Sequence, residues 1–210
     1  MRTMFVVLNG PSGSGKSLEI MPRILNGLRA VALKNAQSMK SWLELSELMR
    51  IDIQNDIYDN VINDSFAAPM KLYIERLLGI PYHEIEKNKP MKELAGYTPR
   101  QFLISESEDH MKKRYGQDIF AKTLVARVLR RDDDPLFVVI DDGGFQPEVD
   151  ALPKRLLIRV ERPGKSFEGD SRNYLPDPDF TLVNDGSLTD LDEKCSRLVT
   201  EIVNHPKTKW

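Results

Sequence analysis

Eight residues near the start of the chain, Gly10-Pro11-Ser12-Gly13-Ser14-Gly15-Lys16-Ser17, combine three glycines, one lysine and hydroxyl side chains at the spacing G-x-x-x-x-G-K-S. Glycines at 10, 13 and 15 allow backbone dihedrals closed to other residues, so that successive N–H groups can point inward at a polyphosphate. A helix opening near Gly15 adds the positive end of its dipole at the same place. In that arrangement Lys16 bridges the β- and γ-phosphates of a nucleoside triphosphate and the Ser17 hydroxyl ligates Mg²⁺, with Ser12 and Ser14 contributing to the cradle. The bland reading, a glycine loop that merely turns the chain, is disfavoured by the apolar run Met4-Phe5-Val6-Val7-Leu8 directly before it, which reads as a buried parallel strand.

Other charged residues stand at the starts of helices or the ends of strands. Lys71 follows Ala68-Pro69-Met70, where Pro69 suits the first helical position, so its ammonium lies in an opening turn that an anion can approach. Thr98-Pro99-Arg100-Gln101 carries a capping threonine, a proline at the first position and glutamine at the third. Arg100 thus projects from a rigid first turn, either as a two-pronged phosphate grip or as a surface arginine. Asp141 and Asp142 close the apolar run Leu136–Ile140, the place where a carboxylate orients Mg²⁺ or its waters; periodicity alone does not decide which of them faces the site. Arg162 and Arg172 lie within a Pro/Gly-rich polar stretch, about residues 161–179, that reads either as a lid carrying cations over phosphates or as a surface loop.

The elements that must position these groups follow from patterning. Strands are expected near residues 4–8, 136–140, 155–160 and 180–183, alternating with helices, which argues for a parallel sheet covered on both faces. A helix is expected from about Gly15, kinked or shortened by Pro22. Trp42, Leu45, Leu48 and Met49 predict an amphipathic helix over 36–50, a lid or acceptor-side helix or simply a packing one. Residues up to Asp64 have no assigned structure and 80–97 read as a loop. One helix is expected to end near Gly116; a second, over about 118–131, buries Phe120, Leu124, Val125, Val128 and Leu129. The closing helix buries Leu188, Leu191, Cys195, Leu198 and Ile202, so Cys195 is read as core. The triplet Asp132-Asp133-Asp134 reads as a solvated helix end in preference to a metal site.

With 210 residues, 40% of them hydrophobic and 30% charged, the chain suits one domain with a sizeable core. Its net charge of -2 gives no general attraction to nucleic acid or anionic membrane. A single cysteine agrees with a reducing compartment, and the apolar run before Asn9 is too short for a signal peptide, so a cytoplasmic protein is expected.

The order and spacing of the cradle, Phe66-Ala67-Ala68-Pro69-Met70-Lys71, Thr98-Pro99-Arg100, Glu161-Arg162-Pro163-Gly164 and Asn184-Asp185-Gly186-Ser187 resemble the deoxynucleoside monophosphate kinases of tailed bacteriophages, over roughly residues 1–17 and 65–205. The resemblance implies an α/β, three-layer P-loop kinase fold with a mostly parallel central sheet flanked by helices. It also implies lid and acceptor-binding insertions: an acceptor-side helical region at about 18–100 and a lid-like loop at about 161–179. It implies transfer of the γ-phosphate of ATP to a deoxynucleoside monophosphate, with Mg²⁺ and with neither nucleic acid nor membrane as partner; monomer and homodimer are both open. Carried onto this chain, Lys71 and Arg100 lie on the acceptor side. Arg162 and Arg172 clamp the transferring phosphoryl group, Ser17 and Asp142 serve the metal, and Asn184, Asp185 and Gly186 lie near the adenine. The Asp-x-Arg arrangement of that family has no arginine here, since Asp142 is followed by Gly143 and Gly144. The rival reading from another class is a P-loop ATPase working with a protein or nucleic-acid partner; a kinase of another small metabolite is a third.

Overall fold

A computed structural model describes residues 2–38, 46–85, 89–131, 135–168 and 177–208. Strand β1 (Met4–Asn9) is buried along its whole length, as its unbroken apolar run requires of a strand covered on both faces. It is the middle strand of a five-stranded sheet with β2 (Val61–Asp64), β3 (Phe137–Gly143), β4 (Arg155–Glu161) and β5 (Phe180–Val183), in the order β2-β3-β1-β4-β5. Every pairing is parallel. The sheet is therefore all-parallel where a mostly parallel one was expected, and all five strands end on the same side.

Alternation along β1 divides the core in two. Met4, Val6 and Leu8 pack with Ile24 and Leu28 of α1 (Met21–Gln37) and with Leu191, Cys195, Leu198 and Ile202 of α8 (Leu188–Asn204). Phe5 and Val7 point the other way, against Phe66, Met70 of α3 (Ala68–Leu78), and Phe120 and Leu124 of α6 (Ile119–Leu129). Helices thus flank both faces. A satellite cluster packs Ile85 and Leu94 against Ile74 of α3.

Several expectations are revised. The helix expected from about Gly15 is not cut short at Pro22. Residues Lys16–Ile20 form a π-helical turn, with Met21 N–H donating to Lys16 O, and α1 then runs 17 residues with Pro22 near its start. The helix expected over 36–50 is divided: α1 reaches Gln37, and α2 (Glu47–Asn60) starts afresh from a Ser46 cap that accepts from Met49 N–H. Trp42 and Leu45 lie outside the described residues, as do Asp132–Asp134. Strand β2 and the short helix α7 (Gln146–Asp150) were not anticipated. Leu129 and Leu188, expected inside, are 55% and 64% exposed; each is the terminal residue of its helix. Residues 99–115 form one helical run: α4 (Pro99–Ser105), a π-helical turn (Glu106–Met111) and α5 (Lys112–Tyr115), ending at Gly116.

Candidate functional site

The glycine-rich turn leaves the end of β1 and enters the π-helical turn at Lys16, as the sequence pattern demands. Gly15 adopts φ +92°, and a Cβ there would lie 2.6 Å from the Asn184 amide nitrogen, so both the dihedral and the space demand glycine. Lys16 is buried at 8% exposure and its Nζ donates to Gly10 O at 2.5 Å and Pro11 O at 2.8 Å, with Ser14 Oγ at 3.4 Å. The ammonium is therefore folded over the loop it follows. Ser12, Gly13 and Ser17 are exposed on the loop's outer side.

Two later segments close on this loop. Arg162, just past β4, donates through Nη1 to Gly13 O at 3.4 Å and pairs with Glu19 Oε1 at 3.1 Å. Asn184, just past β5, donates from Nδ2 to Ser14 O at 3.1 Å and to Glu19 Oε2 at 3.0 Å. Glu19 thus ties both segments to the loop, and the hydrogen bond from Asn184, followed by the Arg162 charge, holds its carboxyl below the usual range. Lys165 reaches the same place, its Cε 3.2 Å from where a Gly13 Cβ would stand. Asp185 and Gly186 continue the Asn184 loop. Asp185 is paired with Lys194, which also donates to Val183 O at 2.9 Å, and Gly186 packs beside Asp190. A cavity of about 470 Å³ borders the loop at Pro11, Arg162, Phe167 and Val183. Arg172 lies outside the described residues.

A second cavity, of about 300 Å³, opens beyond the end of β3. Lys71, Arg100 and Asp142, which are far apart in sequence, all line it. Arg100 arrives as expected: Thr98 Oγ1 accepts from Gln101 N–H at 3.2 Å while the Gln101 side chain accepts from Thr98 N–H at 2.9 Å, fixing the first turn of α4. Lys71 Nζ stands 5.9 Å from the Tyr82 ring centre. Asp142, not Asp141, is the carboxylate that faces this cavity, and its two oxygens accept from Phe66 N–H and Ala67 N–H, each at 3.0 Å. Burial raises the Asp142 carboxyl above its ordinary range, against the pull of those two amides. The carboxylate thereby clamps the start of α3 to the end of β3, with Lys71 in the turn it fixes.

Gly143, directly after Asp142, packs tightly on β1. The sheet register shifts between Val7 and Asn9, Asn9 Nδ2 donates to Gly143 O at 3.1 Å, and a Cβ on Gly143 would collide with Val7 Cγ1.

One cluster at this cavity was not anticipated. Lys112, whose side chain is 1% exposed, pairs with Glu108 Oε1 at 2.9 Å and with Glu148 Oε1 at 3.1 Å. Its Nζ also lies 3.4 Å from the centre of the Phe145 ring, a cation–π contact. Burial pushes the Glu148 carboxyl up to about 7 despite that partner. The Glu108–Lys112 pair at four-residue spacing was legible as a helical ion pair; its burial against Glu148 of α7 was not, because α7 itself was unread.

Comparison with known protein families and with curated proteins finds no match to this chain. Among the described residues, no helix is long and apolar enough to cross a membrane.

Proposed function

We propose that the protein is an ATP-dependent kinase of a deoxynucleoside monophosphate, built on a P-loop kinase fold. The observation that carries this reading is the pairing of two cationic sites at the same end of the sheet. One is the loop at the end of β1 with Lys16, Arg162 and Lys165 around it; the other is the separate cavity beyond β3 lined by Lys71 and Arg100. A hydrolase needs the first site alone; a phosphotransferase needs a second place for an anionic acceptor.

The loop suits a triphosphate. Its amides and Lys16 supply donors, Gly15 leaves the backbone close, and Ser17 stands exposed at the helix start. Mg²⁺, held with the Ser17 hydroxyl and the phosphates, would neutralise charge on the donor. In this reading Lys16 exchanges the carbonyls of Gly10 and Pro11 for phosphate oxygens as ATP binds. Lys71 and Arg100 hold the acceptor phosphate, and Arg162, released from Glu19, neutralises charge spreading over the transferring group. Asp142 positions Lys71 by clamping the turn before it, both of its oxygens accepting from backbone amides. Asn184 holds the loop itself, with the adenine beside its segment. No protein nucleophile or general base is needed, because an acceptor phosphate is already ionised near neutral pH.

The test is ADP release from Mg·ATP with and without each of dAMP, dGMP, dCMP and dTMP. Release that depends on the acceptor supports the kinase. Release indifferent to all four supports the ATPase, and silence with all four rejects both in favour of another acceptor.

A further inference from the structure

Two carboxylates share one buried ammonium. The buried Lys112–Glu148 pair would hold α5 to α7 by itself; Glu108, a third exposed, brings a second carboxylate to the same nitrogen, which the packing of those helices does not require. All three groups line the acceptor cavity, Glu108 and Lys112 on the same helical run as Arg100, about two and three turns beyond it, and Glu148 from α7. Between the two ends the wall is apolar, with Phe66, Leu103, Phe120 and Phe145, a slot suited to a planar ring.

The hydrogen-bonding state of the cluster says what that ring must present. Lys112 is committed, to one oxygen of each glutamate and to the face of Phe145. Each glutamate meets Lys112 through one oxygen, Oε1, and a carboxylate has further lone pairs to offer a ligand. Ionised carboxylate oxygens only accept hydrogen bonds. Burial pushes Glu148 up to about 7, so both glutamates are purely acceptors only above neutral pH, and the assays below are run at about pH 8. Because both Oε1 atoms lie within about 3 Å of one nitrogen and both residues line the cavity, the two carboxylates stand together at this end of it.

Resting on the kinase reading above, we infer that Glu108 and Glu148, braced by Lys112, select an acceptor base with two adjacent N–H donors. Guanine has that edge, in its ring N1–H and its exocyclic 2-amino group. Adenine and cytosine offer an amino group beside a bare ring nitrogen, which faces a carboxylate unfavourably. Thymine offers one N–H between two carbonyl oxygens, so two of its three edge groups oppose the carboxylates. Hypoxanthine keeps N1–H and lacks only the amine, which isolates one of the two contacts.

The experiment measures kcat/KM for dGMP, dIMP, dAMP, dCMP and dTMP with the full chain at saturating Mg·ATP, alongside calorimetric binding of dGMP and dTMP without ATP. The expected order puts dGMP first, with dIMP lower by about 10- to 100-fold, the worth of a lost hydrogen bond to a charged group, and dTMP lower still. Glu108→Gln and Glu148→Gln are each expected to shrink the dGMP-to-dIMP ratio while leaving ATP binding unchanged. Glu108 is the more exposed of the two, which guards the test against a variant that fails to fold. Acceptor-dependent turnover in which dTMP or dIMP equals dGMP overturns the inference and leaves the kinase reading standing. Absence of turnover and of binding with every nucleotide overturns both.

Discussion

Replacing Glu148 with Gln removes a titratable group from the most buried charge cluster of the chain, and the consequence depends on pH in a way the structure fixes. Burial is the dominant influence on this carboxyl and raises it from 4.5 to about 7, with Lys112 opposing and Asp142 and Glu108 reinforcing the rise. An acid whose pKa is higher in the folded state binds its proton more tightly there. Below about pH 4.5 both states are protonated and Glu148 gives stability no pH dependence. Between 4.5 and 7 the folded state keeps a proton that the unfolded chain has lost, so stability falls as pH rises; above 7 the fall is complete. At 1.36 kcal/mol per unit, the full span is at most about 3 kcal/mol, or roughly 6–12 °C in Tm for a chain of this size. Gln cannot titrate, so the wild-type-minus-variant difference should fall by up to that amount between pH 4.5 and 8. Urea denaturation of both proteins at half-unit pH steps reads it directly. Parallel stability curves across that range would refute the burial argument.

Other perturbations follow from the same geometry. Lys16→Ala should reduce turnover by about two to three orders of magnitude, since it removes the ammonium folded over the cradle, and should cost about 1–3 kcal/mol because the Gly10 and Pro11 carbonyls lose their donor; a steady-state assay and denaturant unfolding check the two. Gly15→Ala forces a Cβ against Asn184 at a positive φ and should cost about 1–3 kcal/mol by denaturant unfolding, together with weaker nucleotide binding. Asp142→Asn can accept from only one of the two amides at Phe66 and Ala67; it should cost about 1–3 kcal/mol and raise KM for the acceptor more than for ATP. Asn184→Ala should weaken ATP binding and let the Glu19 carboxyl rise toward its ordinary range, which carbon-detected NMR titration of that side chain would show.

Much of this site is written locally in the chain. The cradle and its strand, the Thr98 capping box that aims Arg100, and the turn that carries Lys71 are each short-range signals that tertiary packing left intact. What the sequence hid is long-range. Strand β2 is four residues long, and only its pairing with β3 makes Val61–Asp64 a strand. The π-helical turns at Lys16–Ile20 and Glu106–Met111 offset the helical period by one residue, so a 3.6-residue pattern does not predict which side chains meet. The second of them precedes Lys112, and α7, the source of Glu148, is five residues with a proline, too short to show a period. Glu19 was legible as an ordinary helical acid; its bridging of Arg162 and Asn184 exists only once the ends of β4 and β5 stand beside β1.

The central claim, two anion sites aligned for transfer between them, is tested most directly with a bisubstrate compound in which adenosine and a deoxynucleoside are joined through a chain of five phosphates. Calorimetry should give one compound per chain, bound at least about 100-fold more tightly than ATP or the monophosphate alone, with affinity reduced by both Lys16→Ala and Arg100→Ala. Affinity no better than that of ATP, insensitive to Arg100→Ala, would contradict the claim.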